Sequence, residues 1–276
     1  MDSERFERAI TLRDAGREED ALREFEALAD LASDTQEKGS LIANQATCFW
    51  RLGRLKEARQ RLSEAAGLWT NLYTEFVDAC LSVAEGKNDD ALRKLTLFLE
   101  NHADIKQSSD QDIYVDAQDE LGRLLFDLGR YADAVSPLEG ALSLAEGDLR
   151  KKLCFYLGAC HYKNEHWQAA EEKLIESLPV DHADPWWAQA QYYRGVCHYK
   201  TGKLEAAEWE LIQSLPENHH DPLWLHAHYQ LGCLYFKRGE YSRAKKAFEL
   251  CKTVVDDTDT EMRSNISAWL VAIPLK

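Results

Sequence analysis

Among its 276 residues this chain has no run of about 18 apolar residues, so it predicts no membrane-spanning helix. It has no P-loop, no Gly-x-Ser-x-Gly, no His-Glu-x-x-His and no dinucleotide fingerprint. Those absences leave catalysis without an anchor, and a non-enzyme without cofactor or metal is the expectation. Basic charge is scarce too: 33 Lys and Arg stand against 48 Asp and Glu, a net charge of −15. No basic stripe is left for nucleic acid to bind. The start, MDSERFERAI, lacks the basic-then-apolar layout of a secretory leader, which predicts a cytoplasmic protein. The hydrophobic fraction is not lacking. At 45% it is ordinary for a folded chain, so disorder is not expected.

What the chain does have is internal repetition. One small-residue series runs Ala9, Ala46, Ala79, Gly122, Gly158, Gly195, Gly232. A second lies twelve residues later in every copy: Ala21, Ala58, Ala91, Ala134, Ala170, Ala207, Ala244. Between them comes a turn position, Gly16, Gly53, Gly86, Gly129, Glu165, Gly202, Gly239. Glycine there fits a helix ending in a left-handed residue. At 100° per residue, the positions around the first small residue share one helix face. Each copy therefore reads as two short helices around a tight turn. The small residue at the first position lets the second helix approach, and the Ala of the second is expected to meet it there. One helix pair leaves an apolar face that only a neighbouring pair can bury, which predicts a solenoid.

Leu231-Gly232, Tyr235, Gly239, Ala244 and Phe248, with Leu157-Gly158, His161, Ala170 and Leu174 in an earlier copy, resemble the tetratricopeptide repeat. The resemblance spans about residues 3 to 255. It implies an all-α, right-handed solenoid of about seven helix pairs, expected near 2–31, 39–69, 72–99, 115–145, 151–178, 188–215 and 225–254. All of residues 1–276 are read as one such solenoid. Met262, Ile266, Trp269, Leu270 and Ile273 fall on one stripe and predict a capping helix over 260–273. The segment 101–114, NHADIKQSSDQDIY, breaks the period and reads as a longer loop, either a surface insertion or a joint or contact loop. Pro137 lies inside an expected helix and predicts a bend.

Seven cysteines include no CxxC pair; Cys48, Cys160 and Cys197 share one repeat position, and Cys80 and Cys233 the one before. A recurring position is the mark of packing rather than of chemistry, and a reducing compartment fits. His182, Asp184, His219, His220 and Asp221 have the residue types of a metal site, but belong to two equivalent joints, SLPVDHADPWW and SLPENHHDPLW. Asp184-Pro185 and Asp221-Pro222 suit a helix cap followed by Pro at the first helical position. His161 and His198 stand where the family has a core Tyr, and are read as packing.

The resemblance also implies that one face of the first helices lines a concave groove. Its candidate partner-binding residues here are Lys152, Phe155, Tyr162, Lys163, Tyr192, Tyr199, Lys200, Tyr229, Phe236 and Lys237. Rows of aromatics and lysines suit a peptide with apolar and acidic residues; the same rows are also close to the generic pattern of these repeats. The expected function is a protein-interaction scaffold or adaptor. The alternatives are a regulator sensing a peptide or small molecule, or a non-catalytic subunit of an enzyme complex. The acid excess has two readings, solubility or an acidic surface for a basic partner. It is concentrated in residues 101–150, with eleven acidic and four basic residues.

Overall fold

The computed structural model describes residues 2–108, 110–178 and 186–274. Among these there are fifteen α-helices and one 3-10 helix, and no strand. The chain divides into two compact units, residues 1–128 and 129–276.

The first unit holds α1 (Ser3–Asp14), α2 (Glu18–Leu31), α3 (Thr35–Arg51), α4 (Leu55–Leu68), α5 (Leu72–Ala84), α6 (Asn88–Asn101) and α7 (Gln111–Asp127). The spaced small residues lie at the bottom of its core: Ala9, Ala21, Ala46 and Ala58 are fully buried beside Phe25, Leu41 and Leu62. Side-chain caps mark several starts. Asp34 accepts from Glu37 N at 2.8 Å ahead of α3, and Asn71 with Thr74 forms a reciprocal capping box at α5.

The segment 101–114 is not a continuous loop. α6 runs to Asn101, a 3-10 helix spans Ala103–Gln107, and α7 begins at Gln111. Ile105 is buried there in one cluster with Phe76, Leu95 and Phe98. One apolar residue pins this polar stretch down, and a single residue generates no periodicity to read in advance.

The second unit holds α8 (Tyr131–Leu142), α9 (Gly147–Lys163), α10 (Trp167–Ser177), α11 (Trp187–Thr201), α12 (Leu204–Gln213), α13 (Pro222–Lys237), α14 (Tyr241–Val254) and α15 (Thr260–Ala272). Pro137 does not interrupt α8, which continues through it with the ring buried. Asp221 caps α13, accepting from Leu223 N at 2.8 Å, with Pro222 at the first turn. The parallel expectation for His182 and Asp184 lies outside the described residues.

Six of the seven turn positions are glycines with φ between 71° and 84°, and the seventh, Glu165, adopts φ 60°. The close approach differs in one detail from the sequence reading. The space opposite Gly195 is filled by Leu211, one turn beyond Ala207, and the pairs Gly158–Leu174 and Gly232–Phe248 repeat the arrangement. Alanine is buried nearby, but the bulky residue after it is the knob. All seven cysteines are buried free thiols. Burial pushes Cys160, Cys197 and Cys233 up to about 12, which keeps them as thiols.

Candidate functional site

The first helices of the second unit are poor in acidic residues. α9 contains one acidic residue, Asp148, and α11 and α13 contain none. In a chain of net charge −15, the face they share is a local exception.

Three lysines sit at the ends of these helices, and all three are exposed. Lys163 Nζ lies 5.9 Å from the Tyr131 ring centre and 5.8 Å from that of Tyr162. Lys200 Nζ is 5.5 Å from Trp167, and Lys237 Nζ is 4.8 Å from Tyr199. The pattern has a local cause. Tyr131 and Trp167 open α8 and α10, so Lys163 and Lys200 each reach back to the first residue of the preceding pair's second helix. In α12 that residue is Leu204, and Lys237 turns to Tyr199 instead. Among the described residues none of the three lysines joins an ion pair. Each ammonium is held by a ring face, which attracts cations weakly and leaves most of the charge to solvent or a partner.

The aromatic row is less uniform than its spacing implies. Phe155 and Tyr192 are buried, not exposed to a groove. Phe155 stacks on Trp186 and Tyr193, both at 6.3 Å, and Tyr193 lies 4.5 Å from Tyr162. Bulky residues on adjacent first helices fill the narrow space between them before any ligand does. Tyr229 and Phe236 are covered from the other side. Trp269 of α15 donates to Tyr229 Oη at 3.0 Å and packs 4.9 Å from Phe236. The end helix thus occupies that part of the face. Lys152 is half-buried near the start of the row.

What stays open is a pocket of about 620 Å³ lined by Tyr162, Lys163, Gln189, Tyr192, Tyr193, Leu223 and His226, with Pro216, Asp221 and Pro222 at its edge. This is the size of a small-ligand or side-chain site. Gln189 donates to Tyr193 Oη at 2.9 Å. Burial raises Tyr162, and raises Tyr192 to about 12, so both phenols stay neutral hydrogen-bonding groups. Sequence reasoning singled out Tyr162, Lys163 and Tyr192 for this site. It missed Tyr193, Gln189 and His226, whose contribution depends on how α11 and α13 meet.

It also missed a buried polar cluster behind the face. Arg194 and Glu210 pair at 2.8 Å, His198 Nε2 lies 3.0 Å from Glu171, and Lys203 Nζ is 2.7 Å from the same carboxylate. His198 is therefore a buried polar link between α10 and α11, not only an aromatic filler. Among the described residues no group of three or more His, Cys, Asp or Glu is arranged to hold a metal ion. Nor is any of their helices long and apolar enough to cross a membrane.

Residues 161–220 and 225–254 match two models of the tetratricopeptide repeat. No curated protein matches the sequence significantly. Similar solved structures are tetratricopeptide-repeat proteins. The C-terminal part of a TPR repeat-containing protein from Cytophaga hutchinsonii is 13% identical with a TM-score of 0.59, over 94% of this chain and 98% of that one. YrrB, described as a TPR protein with an unusual peptide-binding site, is 17% identical with a TM-score of 0.56, over 72% and 92%. The hetero-tetramer of Cut9 and Hcn1 from the APC/C gives 17% and 0.56, over 95% of this chain and 48% of that one. At these identities the likeness is one of fold. The chain thus carries tetratricopeptide repeats on an all-helical fold of the tetratricopeptide-repeat type.

Proposed function

We propose that this protein is an interaction scaffold whose second unit binds an extended or helical segment of a partner protein, rich in acidic and apolar residues. Tetratricopeptide-repeat proteins generally mediate protein–protein interactions and assemble complexes, and the fold is typically non-catalytic. The observation that carries the finer reading is the set of Lys163, Lys200 and Lys237, held over rings without carboxylate partners among the described residues. A partner's Asp and Glu would complete those ammonium groups, and its apolar side chains would enter the pocket beside Tyr162 and Tyr193. Free buried thiols suit work in the reducing cytoplasm.

The test is selection of displayed random peptides on the whole chain, followed by titration of one enriched peptide. The expected peptides are acidic with interleaved apolar residues. Changing Lys163, Lys200 and Lys237 to Glu should weaken binding about tenfold or more, mostly by slowing association. Equal affinity for the triple variant would overturn the assignment of this face. The pocket of about 620 Å³ favours one second reading, a regulator sensing a peptide or small molecule. Enrichment of short ligands insensitive to the lysines, yet lost in Tyr193→Ala, would favour it.

A further inference from the structure

Trp209 is the one large aromatic among the exposed hydrophobics of the described residues. It is 56% exposed on α12, with Ile212 one turn on at 43%. Nothing in the peptide-binding face uses them, because α12 is the second helix of its pair. It carries no Lys or Arg; of its acids Glu205 alone is exposed, while Glu208 is bound by Arg238 and Arg243 and Glu210 is buried against Arg194. α14 holds the equivalent place in the next pair and is reversed: Lys246 and Lys252 are exposed and join no ion pair among the described residues, while Lys245 lies beside Glu249 and Arg243 is engaged by Glu208 and Glu240. It too exposes an apolar residue, Leu250, at 45%. Both helices pack against α13, so the exposed Glu205 and Lys246 lie on neighbouring helices of one unit.

We propose that this outer surface is a self-association site, where a second copy of the chain lays its α14 on α12 and its α12 on α14. The argument is charge complementarity joined to symmetry. A two-fold axis running along the helices, between α12 and α14, exchanges their positions. Both complementary contacts then form at once, and the interface closes on itself as a dimer. Trp209 and Lys246 are 37 residues apart, the repeat length, so they occupy equivalent heights. The axis therefore places Trp209 of one copy against the Lys246 ammonium of the other, the geometry of a cation–π contact. Glu205, one turn earlier, comes within reach of the same ammonium, and Ile212, whose equivalent is Glu249, lies beside Leu250. Neither Glu205 nor Lys246 joins an ion pair within the chain among the described residues. The surface is two helices wide, near the lower limit of specific interfaces, so the dimer is weak and salt-sensitive.

The experiment is sedimentation velocity on the full chain from low to high micromolar concentration, with circular dichroism confirming that each variant is folded. Wild type should pass from monomer to dimer, and Trp209→Ser should stay monomeric. Glu205→Lys and Lys246→Glu should each lower the association constant about tenfold or more, because each opposes like charges. Mixed one to one, these two variants should recover the dimer, since every Glu–Lys contact across the mixed interface is again of opposite sign. A wild type that is monomeric throughout, association unchanged in all variants, no recovery on mixing, or growth beyond the dimer would each overturn the proposal.

Discussion

Leu211 stands where a side chain on Gly195 would have to go: a Cβ there would lie 2.8 Å from Leu211 Cγ and 3.1 Å from Leu211 N. The second distance matters more than the first, because a leucine can rotate and a helix backbone cannot. Gly195→Ala should therefore push α11 and α12 apart and cost about 1–3 kcal/mol. The denaturation midpoint reads this directly. Leu211→Ala should be strongly destabilising alone but less than additive with Gly195→Ala, since truncating Leu211 removes the side-chain part of the clash. Full additivity would show that the two residues do not compete for space.

Glu165 is the turn residue that breaks the glycine series, and it holds φ 60°. A residue with a Cβ loses about 1 kcal/mol or more in that conformation. Glu165→Gly should raise the stability of the chain by roughly 0.5–1 kcal/mol, less the greater freedom of glycine in the unfolded state. Gly202→Val, at φ 84°, should do the opposite and by more, because a β-branched residue resists this region further. Melting temperatures of the two variants moving in the same direction would contradict this account.

Glu210 lies below the surface beside Arg194. Burial raises its carboxyl from the ordinary 4.5 to about 7, with Arg194 opposing and Glu171 adding to the rise. The native chain then holds this proton more tightly than the unfolded chain does. The resulting stability is fully present below pH 4.5 and is lost as pH rises through about 7. Glu210→Gln removes the titration and keeps an acceptor for Arg194. The difference in unfolding free energy between the two proteins should shift toward the variant across that window, by about 3 kcal/mol. His161, His226 and His228, which burial lowers, titrate nearby but are common to both proteins. A difference that does not change with pH would mean that Glu210 stays ionised throughout.

The helix pairs were legible because their cause is local and repeated. A left-handed turn selects glycine at Gly16, Gly53, Gly86, Gly129, Gly202 and Gly239. A close crossing selects a small residue such as Gly158, Gly195 or Gly232. The candidate site was legible only in part. The spacing of Lys163, Lys200 and Lys237 places them at equivalent ends of successive helices, but says nothing of the rings beneath them. Phe155 and Tyr192 stand at groove-facing positions by register, but Phe155 is covered by Trp186 and Tyr193, and Tyr192 packs against His226 of α13. Register assigns a direction to a side chain; its neighbours decide whether anything else can reach it.

The sequence by itself determined the all-helical repeat, the turn at each glycine and the acid-poor first helices of the second unit. Each of these depends on the conformational preference or charge of residues close in the chain. Tertiary structure alone decided that Leu211 and not Ala207 fills the space at Gly195, that Ile105 turns a polar stretch into a 3-10 helix, and that Trp269 covers Tyr229 and Phe236. It also joined Glu171, Arg194, His198 and Glu210 into one cluster. Those outcomes depend on volumes and distances between helices far apart in sequence. Close packing discriminates among such arrangements at the scale of a single methyl group, which is finer than any pattern of residue types along the chain.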